Sequence, residues 1–377
     1  MYIVSKACKI LAGRLKEAAL LFSCIALACL VSVRAQSLKV AVAGMTHGHV
    51  AGLLSEYKKG AVDLTGIAEK DKALIKKYQA RFQLPDSLFF DDLAGLLQAR
   101  RPDVVLAYNA TAEHLAVVEL CAPLHIHVMV EKPLATTVED AGKIAALSRR
   151  HGIQVLTNYE TTWYASNQEL YERVHSDSSF GIIRKMIAHD GHAGPKEIGV
   201  GKEFLDWLTD PTLNGGGALF DFGCYGANLM TWLMKGEAPI AVTAFTRQYK
   251  PAIYDRVDDD ATIIVEYKNA VGIIEASWNW PFSIKDLEVF GTKGYLQAVN
   301  GTTLRSRYYP ASAYTLAAAK PELPVYKSNV DYLAALLKDG RAVTGHELSS
   351  LENNLMVVRI LAAARESAKK NKRIVLK

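Results

Sequence analysis

From Leu38 onward, short apolar and β-branched runs alternate with stretches of helical period, and this alternation limits the fold more than any other feature. The strand-like runs are Lys39 to Ala43, Val62 to Ala68, Val104 to Tyr108, Ile126 to Val130 and Ile153 to Thr157. Between them, Lys72 to Ala80, Glu113 to Cys121 and Val138 to Arg150 carry apolar residues at helical spacing. Continuous apolar strands separated by helices require a parallel sheet covered on both faces, that is, a doubly wound, Rossmann-like α/β domain.

The rhythm changes after about residue 158. Ile182 to His189, Ile240 to Arg247, Ala261 to Tyr267, Val271 to Trp278 and Leu287 to Phe290 follow with few helices between them. Short turns at Lys268-Asn269 and Thr292-Lys293-Gly294 predict a mainly antiparallel open sheet in an α+β domain. A long amphipathic helix over Ser349 to Lys369 closes it. The expected division is a leader over 1–35, a nucleotide-binding domain over 37–158, and a second, α+β domain over 159–377. Two domains suit a chain of 377 residues, since single cores seldom grow beyond about 250 to 300.

The leader rests on Lys6, Lys9, Arg14 and Lys16 ahead of an apolar run from Ala18 to Val33, with Val33-Arg34-Ala35 as a peptidase site. Cleavage after Ala35 and export to the periplasm are expected. The run is shorter than the roughly 20 residues of a spanning helix, so a retained anchor is the lesser reading, as is lipidation at Cys29. Residues 1–35 hold five basic and one acidic side chains, so removing them takes the formal net charge from +5 to +1. No basic patch remains to suggest nucleic acid. Of the five cysteines, three (Cys8, Cys24 and Cys29) lie in the leader, and Cys121 and Cys224 fall in different predicted domains, so no disulfide framework is expected.

The first strand runs into Gly44-Met45-Thr46-His47-Gly48-His49 and then a helix. In a dinucleotide fingerprint three glycines let the turn close and the backbone approach a pyrophosphate; here only Gly44 is in register, with Thr46 and His49 at the other two positions. The place in the chain still puts a helix N-terminus toward any anion. Glu69 ends the second strand, where an acid accepts from an adenosine ribose, and Lys70 beside it would favour a 2′-phosphate. NAD or NADP is the expected cofactor, with NAD slightly favoured. His47 and His49 are spaced for zinc, but no third ligand is offered nearby, so no metal is expected.

Lys132 directly follows a parallel strand, in Glu131-Lys132-Pro133, where ligands of open α/β sheets bind. Asp221 and Tyr225 follow the triple glycine Gly215-Gly216-Gly217 and, four residues apart on one helix, would share a face. A lysine, a tyrosine and an aspartate behind a nucleotide-binding half can move a proton while hydride leaves an alcohol carbon. A lysine near an oxidised nicotinamide is expected to have its pKa lowered, and a tyrosine near that lysine to ionise more readily. Asn158, Tyr159 and Trp163 past the domain junction, with His189 and His192, are candidate contacts for a substrate with apolar and hydroxyl faces. Trp278-Asn279-Trp280-Pro281 reads as a structural strand end.

Val-Met-Val-Glu131-Lys132-Pro133-Leu, followed in the second half by Gly-Gly-Gly-x-x-x-Asp221-x-Gly223-x-Tyr225, strongly resembles the Gfo/Idh/MocA family, the glucose-fructose oxidoreductase and inositol dehydrogenase group. The resemblance runs from Leu38 to the C-terminus. It implies an NAD(P)-binding domain, a sheet domain that forms a homo-oligomer (dimer or tetramer), and a site in the cleft between them. Lys132 then corresponds to the catalytic lysine and Asp221 to the substrate-binding aspartate, while Asn109, His114 and Glu131 fall on the cofactor side. Many members carry histidine where Tyr225 stands; tyrosine resembles glucose-fructose oxidoreductase and the dihydrodiol dehydrogenases, in which it is the acid/base.

Export raises a difficulty, because free NAD(H) is a cytoplasmic currency. Glucose-fructose oxidoreductase keeps its nucleotide bound and oxidises one sugar while reducing another. The expected function is therefore an exported oxidoreductase acting on a secondary hydroxyl or carbonyl of a sugar, glycoside or polyol with a tightly held nicotinamide. Two alternatives are a redox-neutral glycosidase working through a 3-keto intermediate, and a sugar-binding protein that has kept the fold without the chemistry.

Overall fold

Five parallel strands, β1 (Lys39–Ala43), β2 (Asp63–Ala68), β4 (Val104–Ala107), β5 (His127–Glu131) and β6 (Val155–Asn158), with the two-residue β3 (Phe89–Phe90), form one sheet in the order 3-2-1-4-5-6. The computed structural model describes residues 37–310, 313–323 and 325–376. The expected leader, with its cleavage and lipidation sites, lies outside them. Among the described residues no helix is long and apolar enough to cross a membrane.

The strand order reverses between β1 and β4, which opens a crevice at the carboxyl ends of the strands. Asp71 and Thr137 start two of the flanking helices by accepting from their first free N–H groups. The expected strands all form, with shifts of one or two residues at their ends. Phe89–Phe90 is additional, and is too short to carry a period.

The second sheet has nine strands in the order 14-13-12-11-7-10-9-8-15. It comprises β7 (Ile183–Gly191), β8 (Ala241–Arg247), β9 (Asp260–Glu266), β10 (Val271–Ser277), β11 (Ile284–Gly291), β12 (Gly294–Asn300), β13 (Thr303–Tyr308), β14 (Thr315–Ala318) and β15 (Ile374–Val375). All pairings are antiparallel except β7 with β10. Helix Gly223–Leu233, buried along its whole length, lies between this sheet and the C-terminal helix Leu351–Lys370.

A domain running unbroken over 159–377 does not describe the packing. Helix Asn329–Leu337 returns to the first sheet, where Val330, Tyr332, Leu333 and Leu336 join the core of Val40, Leu53, Leu54 and Leu106. Leu351 and Val358 of the C-terminal helix pack into the other face of that sheet. The C-terminal helix thereby packs against both sheets, through Leu351 and Val358 on the first and Val357, Ile360 and Leu361 on the second.

Candidate active site

The turn after β1 offers a cradle for a nucleotide. Gly44 has φ +75°, and a Cβ there would stand 2.8 Å from Asn109 Cβ, so no larger residue fits without displacing the end of β4. The N–H groups of Thr46 and Gly48 have no partner among the described residues, and a Cβ on Gly48 would meet nothing within 4 Å. Two free donors at a helix N-terminus with open approach suit a pyrophosphate. Glu69, 7 % exposed, accepts from Met45 N–H and Asp71 N–H, both at 2.9 Å, which fixes its carboxylate beside the turn. Lys70 is exposed. Asn109 Oδ1 is buried without a partner. These residues fit a dinucleotide: Thr46, Gly48, Glu69 and Asn109 would hold it. His114 is fully buried, bonds to the Leu134 carbonyl through Nδ1 at 3.1 Å, and buttresses the loop after Lys132 instead of facing the groove.

The Lys132–Pro133 peptide is cis, and Lys132 Nζ donates to the Asp221 carbonyl at 3.1 Å and forms a direct ion pair with Asp221 Oδ1. The other carboxylate oxygen, Oδ2, accepts from Trp278 Nε1 at 2.9 Å. Both groups are almost wholly buried. Burial alone would lower the lysine, but the adjoining carboxylate raises it above the ordinary range, so Lys132 rests as an ammonium. Burial would likewise raise Asp221, and Lys132 outweighs it and brings it down. The expected lowering of Lys132 is thus reversed in the resting protein by its ion pair.

Asp221 and Tyr225 do not share one helix. Helix Ala218–Asp221 ends at Phe222, and Gly223–Leu233 begins a second. The glycines set the first: a Cβ on Gly217 would lie 1.8 Å from the Asp258 carbonyl, and the Asp258 carboxylate accepts from Gly217 N–H at 2.9 Å and Leu219 N–H at 2.7 Å. The break still directs both side chains to one cavity of about 320 Å³, lined by Lys132, Asp221, Tyr225, His192, Phe222, Lys285 and the His47–Gly48–His49 turn. Lys132 and Lys285 lie 5.1 and 4.7 Å from the Tyr225 ring centroid. Burial nevertheless holds the Tyr225 phenol well above its ordinary value, so it rests protonated, contrary to the expectation from the lysine alone.

Other expected residues separate. His192 lines the cavity, with its imidazole lowered by burial and Nδ1 accepting from Gly194 N–H at 2.9 Å. His189 lies on the opposite face of β7, paired with Asp286 at 2.7 Å, and is not part of the site. Tyr159, fully buried, packs edge-on against Tyr225 at 5.4 Å and supports it from behind. Asn158 donates to Glu131 Oε1 at 2.9 Å and accepts from Trp163 Nε1 at 3.3 Å; both border a second cavity beside His49.

Three participants are not evident from the sequence: Trp278, which holds Asp221; Lys285, beside Tyr225; and Glu131 as a partner of the histidines. His49 Nδ1 stands 3.1 Å and His47 Nε2 4.0 Å from Glu131 Oε2. The expectation that no third ligand is near His47 and His49 is therefore wrong, because the end of β5 brings Glu131 to them across the strand reversal. Burial would raise Glu131, but the charges of His49 and His47 and the bonds from His49 and Asn158 bring it to about 2. Burial lowers His47 to about 3.

The chain matches the family described as "Oxidoreductase family, NAD-binding Rossmann fold" over residues 38–159 and the "GFO/IDH/MocA C-terminal domain" over 167–297. The chain belongs to the GFO/IDH/MocA oxidoreductases. It is 24 % identical over 262 residues to trans-1,2-dihydrobenzene-1,2-diol dehydrogenase of Bos taurus, covering 68 % of this chain and 72 % of that one. Among solved structures it resembles aldose-aldose oxidoreductase from Caulobacter crescentus complexed with glycerol (TM-score 0.75, 20 % identity, 90 % of this chain and 100 % of that one). It also resembles an inositol dehydrogenase homolog complexed with NAD+ from Azotobacter vinelandii (TM-score 0.77, 17 % identity, 91 % and 98 %). As a member of this family the protein is an NAD(P)-dependent oxidoreductase acting on CH–OH groups.

A bound nicotinamide would supply or accept the hydride, which leaves the proton to the chain's own residues. Lys132 and Tyr225 both line the cavity, so Lys132 Nζ–H and Tyr225 Oη–H would be the donors available to a carbonyl oxygen placed there. Asp221, locked by Trp278, keeps the Lys132 ammonium in place and offsets its charge where water is scarce. In the oxidising direction the proton would pass to whichever of Lys132 and Tyr225 had released its own.

Proposed function

We infer that the protein is an exported oxidoreductase that passes hydride between a retained nicotinamide nucleotide and secondary hydroxyl or carbonyl groups of sugars or polyols. The observation that carries this reading is the convergence of Lys132, Asp221 and Tyr225 on one cavity that also reaches the nucleotide turn. Phe204, Phe222 and Tyr225 give apolar faces, and His192, Lys285 and Glu203 give polar groups, a mixture suited to the CH faces and hydroxyls of a sugar ring. The likeness to an aldose-aldose oxidoreductase supports sugar as both donor and acceptor. The basic, apolar leader over 1–35 supports export, and retention of the nucleotide follows from working where no free NAD(H) is supplied.

Mass spectrometry of the denatured, purified protein is expected to find about one nicotinamide nucleotide per chain. Incubation with two aldoses and no added cofactor is then expected to oxidise one and reduce the other. Release of the aglycone from an aryl glycoside under the same conditions, without sugar exchange, would replace this reading with the 3-keto glycosidase. Failure to hold or bind any nucleotide would leave a sugar-binding protein.

A further inference from the structure

We propose that His47, His49 and Glu131 form a binding site for a divalent transition-metal ion of the zinc type, opening into the cavity that holds Lys132 and Tyr225. One ligand atom from each residue lies within 4.8 Å of the others. With metal–ligand bonds of about 2.0–2.1 Å, neighbouring ligands of a tetrahedral zinc stand about 3.3 Å apart. The observed 3.1 Å from His49 Nδ1 and 4.0 Å from His47 Nε2 to Glu131 Oε2 bracket that spacing. Two imidazoles and one carboxylate are a borderline donor set that suits zinc and its neighbours better than magnesium or calcium.

The ligands are held before any ion arrives. His47 is 3 % exposed, with its ring 4.6 Å from Phe204 and 6.0 Å from Trp207. Glu131 Oε1 is occupied by Asn158, itself bonded by Trp163, which leaves Oε2 as the ligating oxygen. Support of this kind from a second layer of hydrogen bonds orients metal ligands. Among the described residues the ion-pair partners of Glu131 are the two histidines, whereas its neighbour Lys132 is matched by Asp221.

One local contact must change. His47 Nδ1 accepts from the His49 N–H at 3.3 Å, a long bond that gives way when Nε2 takes the metal and Nδ1 carries the proton. Three ligands leave a fourth tetrahedral position, and two of them, His47 and His49, line the cavity that also holds Lys132 and Tyr225. An oxygen of the substrate entering there would be polarised beside the proton donors. The free N–H groups of Thr46 and Gly48 are not used, so the site leaves the nucleotide cradle its donors.

The test is titration of the purified, chelator-treated protein with Zn2+ by calorimetry, and with Co2+ by its visible absorption. One equivalent is expected to bind with a Kd of about 1 µM or tighter. His49→Ala, at a half-exposed ring, and Glu131→Gln are expected to weaken binding by about 100-fold. His189→Ala, which breaks the separate His189, Asp286 and Glu288 cluster, is expected to leave it unchanged. Binding that survives His49→Ala and is lost in His189→Ala overturns the assignment, as does the absence of any stoichiometric binding. Because the readout is metal binding, and neither nucleotide content nor turnover, its outcome stands apart from that of nucleotide retention.

Discussion

The Lys285 ammonium lies 4.7 Å from the centroid of the Tyr225 ring, as close as that of Lys132 at 5.1 Å, so one buried phenol faces two cations. Lys285 comes from β11 and is held by an ion pair with Glu160. Neighbouring positive charge favours the phenolate and opposes the effect of burial. Lys285→Met should therefore reduce kcat for alcohol oxidation by about tenfold near neutral pH and move the acidic limb of the pH–rate profile upward. A fall in kcat with an unchanged profile would assign Lys285 to packing.

Trp278 occupies the end of a strand segment, yet its indole N–H holds Asp221 Oδ2 at 2.9 Å. Trp278→Phe keeps most of the ring volume and removes that donor. A hydrogen bond to a charged group contributes about 1.5–3 kcal/mol, so kcat/KM should drop by about 10- to 100-fold while the thermal transition remains cooperative. Unaltered kinetics would mean that Lys132 alone positions Asp221.

The Lys132–Asp221 pair separates stability from catalysis. Removing one member of a buried pair leaves an uncompensated charge and costs about 3–5 kcal/mol, whereas replacing both with apolar residues is often neutral. Lys132→Met and Asp221→Leu should each lower the denaturation midpoint in urea, and the double variant should recover much of the loss. All three should lack activity. Additive destabilisation in the double variant would show that the pair is not coupled in the folded protein.

Much of the fold was legible because buried parallel strands are written as unbroken apolar runs, as in Val104 to Ala107. The strands after residue 294 were not: β13 alternates Arg305 and Arg307 with Leu304 and Ser306, and β14 is exposed throughout, so neither carries a hydrophobic period. The return of helix Asn329–Leu337 to the first sheet is a tertiary choice that its amphipathic pattern leaves open. At the site, Lys132, Asp221 and Tyr225 announced themselves through local motifs. The break at Phe222 did not, because a four-residue spacing fits one helix as well as two. Glu131 lies 82 residues from His49, and only the strand reversal brings them together.

Asp190 is a buried carboxyl with no ion pair or hydrogen bond among the described residues. It faces the core from β7, opposite Lys285 in strand register, with neither carboxyl oxygen hydrogen-bonded. Burial raises its pKa well above the carboxylate range, so it is folded as the neutral acid. The unfolded chain releases that proton above about pH 3.9, and from there the native state loses stability as pH rises, by at most about 1.4 kcal/mol per unit. Asp190→Asn removes the ionisation while keeping the shape. The variant should match the parent near pH 4 and exceed it in urea stability by an amount that grows from pH 5 to pH 8. A gap that stays constant over that range would mean that Asp190 is charged and paired in solution.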